Sequence, residues 1–377
     1  QLLIASQAEN RPAFGPSWLE LTRTEQAASG LRPWWRDNSD QLLSLMENRD
    51  SAYVYQLDSV RQAACRLLRL GTVGRVLYAI KANDHPQVLN ALAEEGVGFE
   101  CVSMNEVRHV LKEVNGAQPG DILFTPNFAP RAEYEAALHA GVQLTVDNAW
   151  AIRQWPDLFT GSDLFLRLDL DTGYGHHRKV ITSGADSKFG VSFDDIGPAL
   201  ETLAARGARV TGLHAHTGSG VLNAEVWQEQ LQRFLEVLPE ISDVTVLDLG
   251  GGLGVPDRPG QAGFDLQRLD NLLGATLGEA GVELWLEPGR YLVAESGVLL
   301  SRVTQKKSKG RYHYLGVSTG MTAPDGDEDI VVAEEEEVPA EEEWEEEWSE
   351  EEWEDEWEEE DTTILERNIR LAFKMVP

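Results

Sequence analysis

The 377-residue chain is 42% hydrophobic, enough to fill a sizeable core, and carries a formal net charge of −32. That charge is concentrated: the stretch 325–361 holds about 24 acidic and no basic side chains, so the rest is mildly acidic and offers no basic stripe for nucleic acid. No run of about 20 apolar residues could span a bilayer, and Gln1-Leu2-Leu3-Ile4-Ala5-Ser6 lacks the basic-then-apolar order of a signal peptide, so a cytoplasmic location is expected.

In chain order, the first 50 residues read as a lead-in with a helix-like stretch at 41–47, followed by a strand at 52–56. From residue 51 onward, short β-branched or apolar runs alternate with segments of helical period. The spacing predicts strand cores at 76–80, 98–102, 121–125, 143–147, 164–169, 210–216, 244–249 and 282–287. It predicts helices at 87–95, 105–113, 132–140, 195–206, 224–238 and 266–280, several stopped by glycine, as at Gly96, Gly141, Gly207 and Gly281. Repeated βα units of this kind predict an α/β fold, a (β/α)8 TIM-type barrel over 51–296, with an open doubly wound sheet as the alternative. Cys65 and Cys101 lie in apolar runs and read as core residues rather than a disulfide or zinc set.

Apolar runs at 297–304 and 313–317 predict the start of an incomplete β-rich domain over 297–322. The tract 323–361 is then dominated by acidic residues, chiefly Glu, with Trp interspersed, an acidic low-complexity tail that cannot bury a conventional core, and a short segment, 362–377, follows it. Trp344 with Trp348, and Trp353 with Trp357, stand at i, i+4 and would each pair along a helix, but repulsion between neighbouring glutamates weighs against that helix.

Chemistry in such a barrel collects at the C-terminal ends of the strands, and these ends are polar here. The first carries Lys81 in Tyr78-Ala79-Ile80-Lys81-Ala82-Asn83, where desolvation is expected to weaken proton affinity and make the amine nucleophilic. A solvated strand cap is the plainer reading. The sixth carries His214 and His216 on one strand face, with Ser219 close behind. These suit metal ligands, a core pair, or an imidazole lying against a planar ring beside an anion site. The seventh runs into Gly250-Gly251-Gly252, whose freedom at positive φ suits either a tight turn or a nest of amides for a phosphate. The eighth ends in Glu287-Pro288-Gly289-Arg290, which pairs a carboxylate with a guanidinium either as a local ion pair or as partners for a ring nitrogen and a phosphate. Together, an amine, a ring-facing histidine, a phosphate nest, a carboxylate and an arginine make a parts list for pyridoxal phosphate, with no metal expected.

Over roughly residues 50 to 322 the sequence resembles the barrel-type (fold type III) pyridoxal-phosphate decarboxylases of diaminopimelate, ornithine and arginine. By that resemblance Lys81 is the Schiff-base lysine, and Glu100 in Phe-Glu-Cys-Val-Ser and Arg167 in Leu-Arg-Leu-Asp lie near the cofactor. His216 stacks on the ring, Glu287 pairs with its nitrogen, and Ser219, Gly250, Gly251, Gly252, Gly289 and Arg290 hold the phosphate. Lys81, His216 and Glu287 are the implied catalytic residues. Gly175-His176-His177-Arg178-Lys179-Val180, Ser187-Lys188-Phe189-Gly190 and Gly316-Val317-Ser318-Thr319-Gly320-Met321 resemble the diaminopimelate branch. With Pro33-Trp34-Trp35-Arg36 they resemble, in particular, the decarboxylase half of bacterial bifunctional aspartate kinase/diaminopimelate decarboxylases. The resemblance implies a homodimer acting on a small-molecule amino acid, most like meso-diaminopimelate to L-lysine, with no nucleic-acid or membrane partner.

After Met321 the chain departs from this pattern. The family's Arg-Pro and Tyr segment, its Cys-Glu-Ser motif and its late Tyr are not found, so no catalytic cysteine is assigned. A cofactor-binding remnant without turnover, an ornithine or arginine decarboxylase, and a metal-dependent barrel hydrolase are the competing readings.

Overall fold

The computed structural model describes residues 34–170, 188–256, 261–309 and 312–319. Most of the lead-in, the Gly175–Val180 stretch, Ser187, Gly320, Met321, the acidic tract and the last segment lie outside the described residues. Among the described residues the strands are β1 (Ser51–Tyr55), β2 (Val73–Ala79), β3 (Gly98–Cys101), β4 (Ile122–Phe124), β5 (Gln143–Val146), β6 (Asp163–Arg167), β7 (Arg209–His214), β8 (Val246–Asp248), β9 (Glu283–Leu286), β10 (Gly297–Ser301), β11 (Val303–Lys309) and β12 (Tyr312–Val317). The helices are α1 (Trp34–Asp37), α2 (Ser39–Leu45), α3 (Leu57–Leu68), α4 (Pro86–Glu94), α5 (Met104–Glu113), α6 (Arg131–Ala140), α7 (Ala149–Gln154), α8 (Phe193–Ala204), α9 (Glu225–Val237), α10 (Leu266–Leu277) and α11 (Arg290–Val293).

Strands β2 to β9 close into a parallel barrel, β9 pairing back onto β2 through Val73 with Leu284 and Val76 with Leu286. The eight expected strands are these eight, and the open-sheet alternative is excluded by the closure. The chain divides into two compact units, and the larger, Leu57–Pro256 with Gly263–Ala294, contains the whole barrel. Inside it, Leu77, Leu123, Phe165, Val246 and Trp285 form one buried layer, with the Phe165 and Trp285 rings 5.3 Å apart. Burying each such side chain contributes about 1.5–3 kcal/mol, and this layer plugs the barrel so that only its mouth is left for chemistry. Gly212 on β7 is required by the plug, since a Cβ there would strike the Phe165 ring.

The helices coat the barrel for the reason their sequences give. α3 buries Val60, Ala63, Ala64 and Leu67, one stripe at helical spacing. α5 begins where the Ser103 hydroxyl accepts a hydrogen bond from Glu106 N (3.2 Å), and α6 stops at Gly141, whose φ of 74° a side chain would disfavour. Both cysteines are free: Cys101 is buried as expected, whereas Cys65 is only partly buried and donates to Glu95 Oε2 at 3.2 Å.

In the smaller unit, β1 pairs antiparallel with β10, Ser51 opposite Ser301, and β11 pairs antiparallel with β12. Met46, Ala52, Val54 and Leu300 pack together there, and the Trp34 indole donates to Glu295 O at 3.1 Å. No helix among the described residues is long and apolar enough to cross a membrane.

Candidate active site

Because the eight barrel strands are parallel, their C-terminal ends open on one mouth. β2 ends in a 3₁₀ turn, Ile80–Ala82, pinned by the Tyr78 hydroxyl, which donates to Asn83 O at 3.0 Å. This turn presents Lys81 with its side chain half exposed. Lys81 Nζ donates to Glu100 Oε2 at 2.7 Å, and the Thr125 hydroxyl donates to the other oxygen of Glu100. Glu100 on β3 is almost fully buried. Arg167, at the end of β6, is also buried and lies 4.5 Å over the Phe189 ring.

The expectation for Lys81 is corrected in sign. Desolvation at the mouth does pull its proton affinity down, but the charge and hydrogen bond of Glu100, together with Glu287 and Glu106, outweigh it and leave the ammonium more basic than usual. Lys81 is therefore held charged by its partner rather than stripped of its proton by burial. Sequence reasoning treated the lysine alone, and the acid that decides its state comes from the next strand.

The two histidines part company. His214 Nε2 faces Glu287 Oε2 at 3.0 Å, with both side chains buried. His216 lies beyond the strand end, where its Nδ1 accepts from Gly251 N at 3.3 Å, a tautomer inferred from that bond. Among the described residues the side chains that cluster with His214 are Asp248 and Glu287, without His216. Desolvation, then the nearby Arg167 and Lys81, push His216 down to about 3, so its imidazole is neutral at physiological pH. The local ion pair between Glu287 and Arg290 is also not made. Glu287 Oε1 and Arg290 Nε are both buried with no hydrogen-bond partner.

The glycine turn is built by close backbone approach. A Cβ on Gly250 would lie 2.5 Å from Ala215 O, one on Gly251 would run into Glu287 O, and one on Gly252 into Gly218 O. Gly250 and Gly252 also adopt positive φ, 65° and 96°. Two of the amides expected to be free for an anion are already engaged, Gly250 N with Asp248 Oδ1 (2.8 Å) and Gly251 N with His216 Nδ1. The bare backbone of three segments thus forms a cradle beside Ser219, Gly289 and Arg290. Gly289 itself approaches the β2 end, where a Cβ would meet Ala82 and Ala79 at 3.2 and 3.3 Å.

One mouth therefore gathers a charged amine on a buried acid, a neutral imidazole, an unpartnered carboxylate oxygen and a side-chain-free cradle. Residues 57–294 match the profile of the family described as pyridoxal-dependent decarboxylase, pyridoxal binding domain. The chain belongs to this family. Among curated relatives of this pyridoxal-dependent decarboxylase chain, the diaminopimelate decarboxylase of Deinococcus radiodurans is 34% identical over 271 residues, 72% of this chain and 68% of the relative. That of Escherichia coli K12 is 29% identical over 277 residues, 71% of this chain and 65% of the relative. The match thus spans about two thirds of the length of these relatives. The crystal structure of diaminopimelate decarboxylase from Helicobacter pylori complexed with L-lysine shares the fold, with a TM-score of 0.68, 24% identity, and coverage of 76% of this chain and 74% of that one.

Two residues of this pyridoxal-binding barrel, Asp248 and Gln230, escaped the sequence reading. Asp248, at the end of β8, is fully buried and lies with His214 and Glu287 in a cluster whose ligating atoms are all within 4.8 Å of one another. Asp147, at the end of β5, is buried and accepts from the Asn127 amide. Gln230 on α9 is fully buried, and its Nε2 donates to Ala215 O (2.9 Å) and Leu249 O (3.1 Å), tying together the two strand ends that lead to His216 and Gly250. The legible signal for Gln230 was its place on the helix stripe of Val226, Trp227, Leu231, Phe234 and Val237, where a polar residue must find a buried partner.

Proposed function

We propose that the chain decarboxylates meso-diaminopimelate to L-lysine with pyridoxal phosphate held at the barrel mouth. One observation carries the reading: Lys81, the unpartnered oxygen of Glu287 and the backbone cradle of Gly250–Gly252 converge on one mouth, as a phosphorylated pyridine aldehyde requires. The residues fit that group. Lys81 would carry it covalently, and Glu287 Oε1 would accept from its ring nitrogen. His216 would lie against the ring, while Gly252, Ser219, Gly289 and Arg290 would surround its phosphate, with Gly250 and Gly251 shaping the cradle. When bound, pyridoxal phosphate supplies a conjugated ring that takes up the electrons left when the carboxylate departs.

The chain's own groups set the proton inventory. Glu100 Oε2 holds the Lys81 Nζ proton at 2.7 Å and is placed to receive it when the amine acts as nucleophile. Burial opposes the charge on Glu287, but His214 and Lys81 outweigh it and keep the carboxylate ionised, the state that accepts a hydrogen bond from a protonated ring nitrogen. Neutral His216 can pack on a cationic ring without repelling it.

The choice of meso-diaminopimelate rests on the relatives' activity and on the Gly175-His176-His177 and Ser187-Lys188-Phe189-Gly190 resemblances. A homodimer, a cytoplasmic location and kinship with the kinase-fused decarboxylases belong to the same proposal. The test is carbon dioxide release by the cofactor-loaded chain from meso-diaminopimelate, ornithine and arginine. Meso-diaminopimelate should yield L-lysine and one carbon dioxide, fastest of the three. Faster release from ornithine or arginine contradicts the substrate assignment. The departure from the family after Met321 favours a second reading, cofactor binding without turnover, and cofactor uptake with no release from any substrate decides for it.

A further inference from the structure

Two buried carboxylates, Asp248 and Glu287, stand at neighbouring strand ends, and each keeps one oxygen, Asp248 Oδ2 and Glu287 Oε1, without a donor. Their ligating atoms and that of His214 all lie within 4.8 Å of one another. His214 Nε2 already serves Glu287 Oε2 at 3.0 Å, and its Nδ1 has no partner, so the cluster has more acceptors than donors. A proton shared between the two acids removes that imbalance, because a neutral carboxylic acid donates where a carboxylate only accepts. Asp248 also reaches the other end of the site, since its Oδ1 accepts from Gly250 N at 2.8 Å. Gly250 O in turn accepts from Glu287 N at 2.9 Å, so a bond between the two acids would close a loop through both of them and the glycine turn.

We propose that Asp248 is a positioning residue that, as a neutral hydrogen-bond donor, joins the ring-nitrogen carboxylate Glu287 to the glycine turn Gly250–Gly252. Burial, then the charge of Glu287, favour the protonated form of Asp248, while His214 and Lys81 favour the ionised form of Glu287. The proton therefore sits on Asp248, and its hydrogen bond holds Glu287 at the angle at which the free oxygen meets a ring nitrogen. A change at one end of the cofactor site is thereby felt at the other. The inference rests on the cofactor reading above for its purpose, but its chemical core is a property of the unloaded protein.

The first readout is infrared difference spectroscopy of the unloaded chain against Asp248→Asn. The carbonyl stretch of a buried protonated carboxylic acid should be present in the wild type, shift in heavy water, and be missing from the variant. Spectra with no such difference would overturn the proposal. The second is pyridoxal phosphate affinity. An asparagine amide can still donate to Glu287 and accept from Gly250 N, so Asp248→Asn should bind within about threefold of wild type, whereas Asp248→Ala should bind roughly ten- to thirtyfold more weakly. Equal affinity in all three proteins, or an equal loss in both variants, would also overturn it. If Asp248→Ala does not fold, the infrared band and the asparagine variant decide alone. A wild-type chain that shows the infrared band but takes up no pyridoxal phosphate would instead refute the cofactor reading.

Discussion

Replacing Gln230 by methionine keeps the length and nearly the volume of the side chain while deleting both of its donors. Gln230 is fully buried, so no water stands ready to take over the bonds to Ala215 O and Leu249 O. Two buried carbonyls left without this donor cost about 1–3 kcal/mol each. Against this, Gln230 Oε1 is itself buried without a partner, so its removal returns a cost of about the same size as one of those two. The net expectation is a loss of about 1–3 kcal/mol, which for a barrel domain of this size lowers Tm by roughly 2–4 °C per kcal/mol. The loss should be local in its consequences, because the two carbonyls immediately precede His216 and Gly250. Thermal unfolding of Gln230→Met gives the magnitude, and amide hydrogen exchange gives the place, with faster exchange at 215–217 and 249–251. A variant with unchanged Tm and unchanged exchange at those two strand ends would refute the reasoning.

Glu100→Gln removes the strongest of the charges that keep Lys81 protonated and leaves desolvation opposed only by the weaker pull of Glu287 and Glu106, so the lysine's pKa should fall; pyridoxal phosphate attachment measured against pH should shift its rise toward acid, and an unshifted profile would contradict the coupling. His216, neutral down to about 3 in the folded chain but with an ordinary value of 6.5 when unfolded, binds fewer protons folded than unfolded between those values. Its contribution to stability is therefore present above pH 6.5 and lost as pH falls toward 3, and its imidazole NMR signal should not titrate between about pH 5 and 8; a mid-range titration would refute the assignment.

The barrel was legible because each strand is a short apolar run closed by a polar residue, and every one of the eight runs became a strand. Boundaries moved where geometry, not hydropathy, sets them. The strand expected at 76–80 begins at Val73, because Val73 pairs with Leu284 to close the barrel, and it gives way to the 3₁₀ turn carrying Lys81. Helices α3 and α7 were not singled out, although the Val60, Ala63, Ala64 and Leu67 stripe of α3 has plain helical spacing.

The candidate site divides differently. Residues whose chemistry is visible in isolation, such as Lys81, His216 and the three glycines, could be picked from the strand ends. Their states could not. The charge on Lys81 depends on Glu100, and the freedom of the glycine amides depends on Asp248 and His216, contacts that exist only once strands from distant parts of the chain meet. Asp248 and Gln230 were hidden for the same reason, since a buried polar group announces itself only through the partner that pays for its burial.

The central claim is that this chain carries pyridoxal phosphate on Lys81, and the most direct measurement is peptide mass spectrometry after borohydride reduction of the cofactor-treated protein. The account predicts a phosphopyridoxyl adduct on the peptide containing Lys81, abolished in Lys81→Ala. An adduct confined to other lysines, or none while Lys81 remains unmodified, would contradict it.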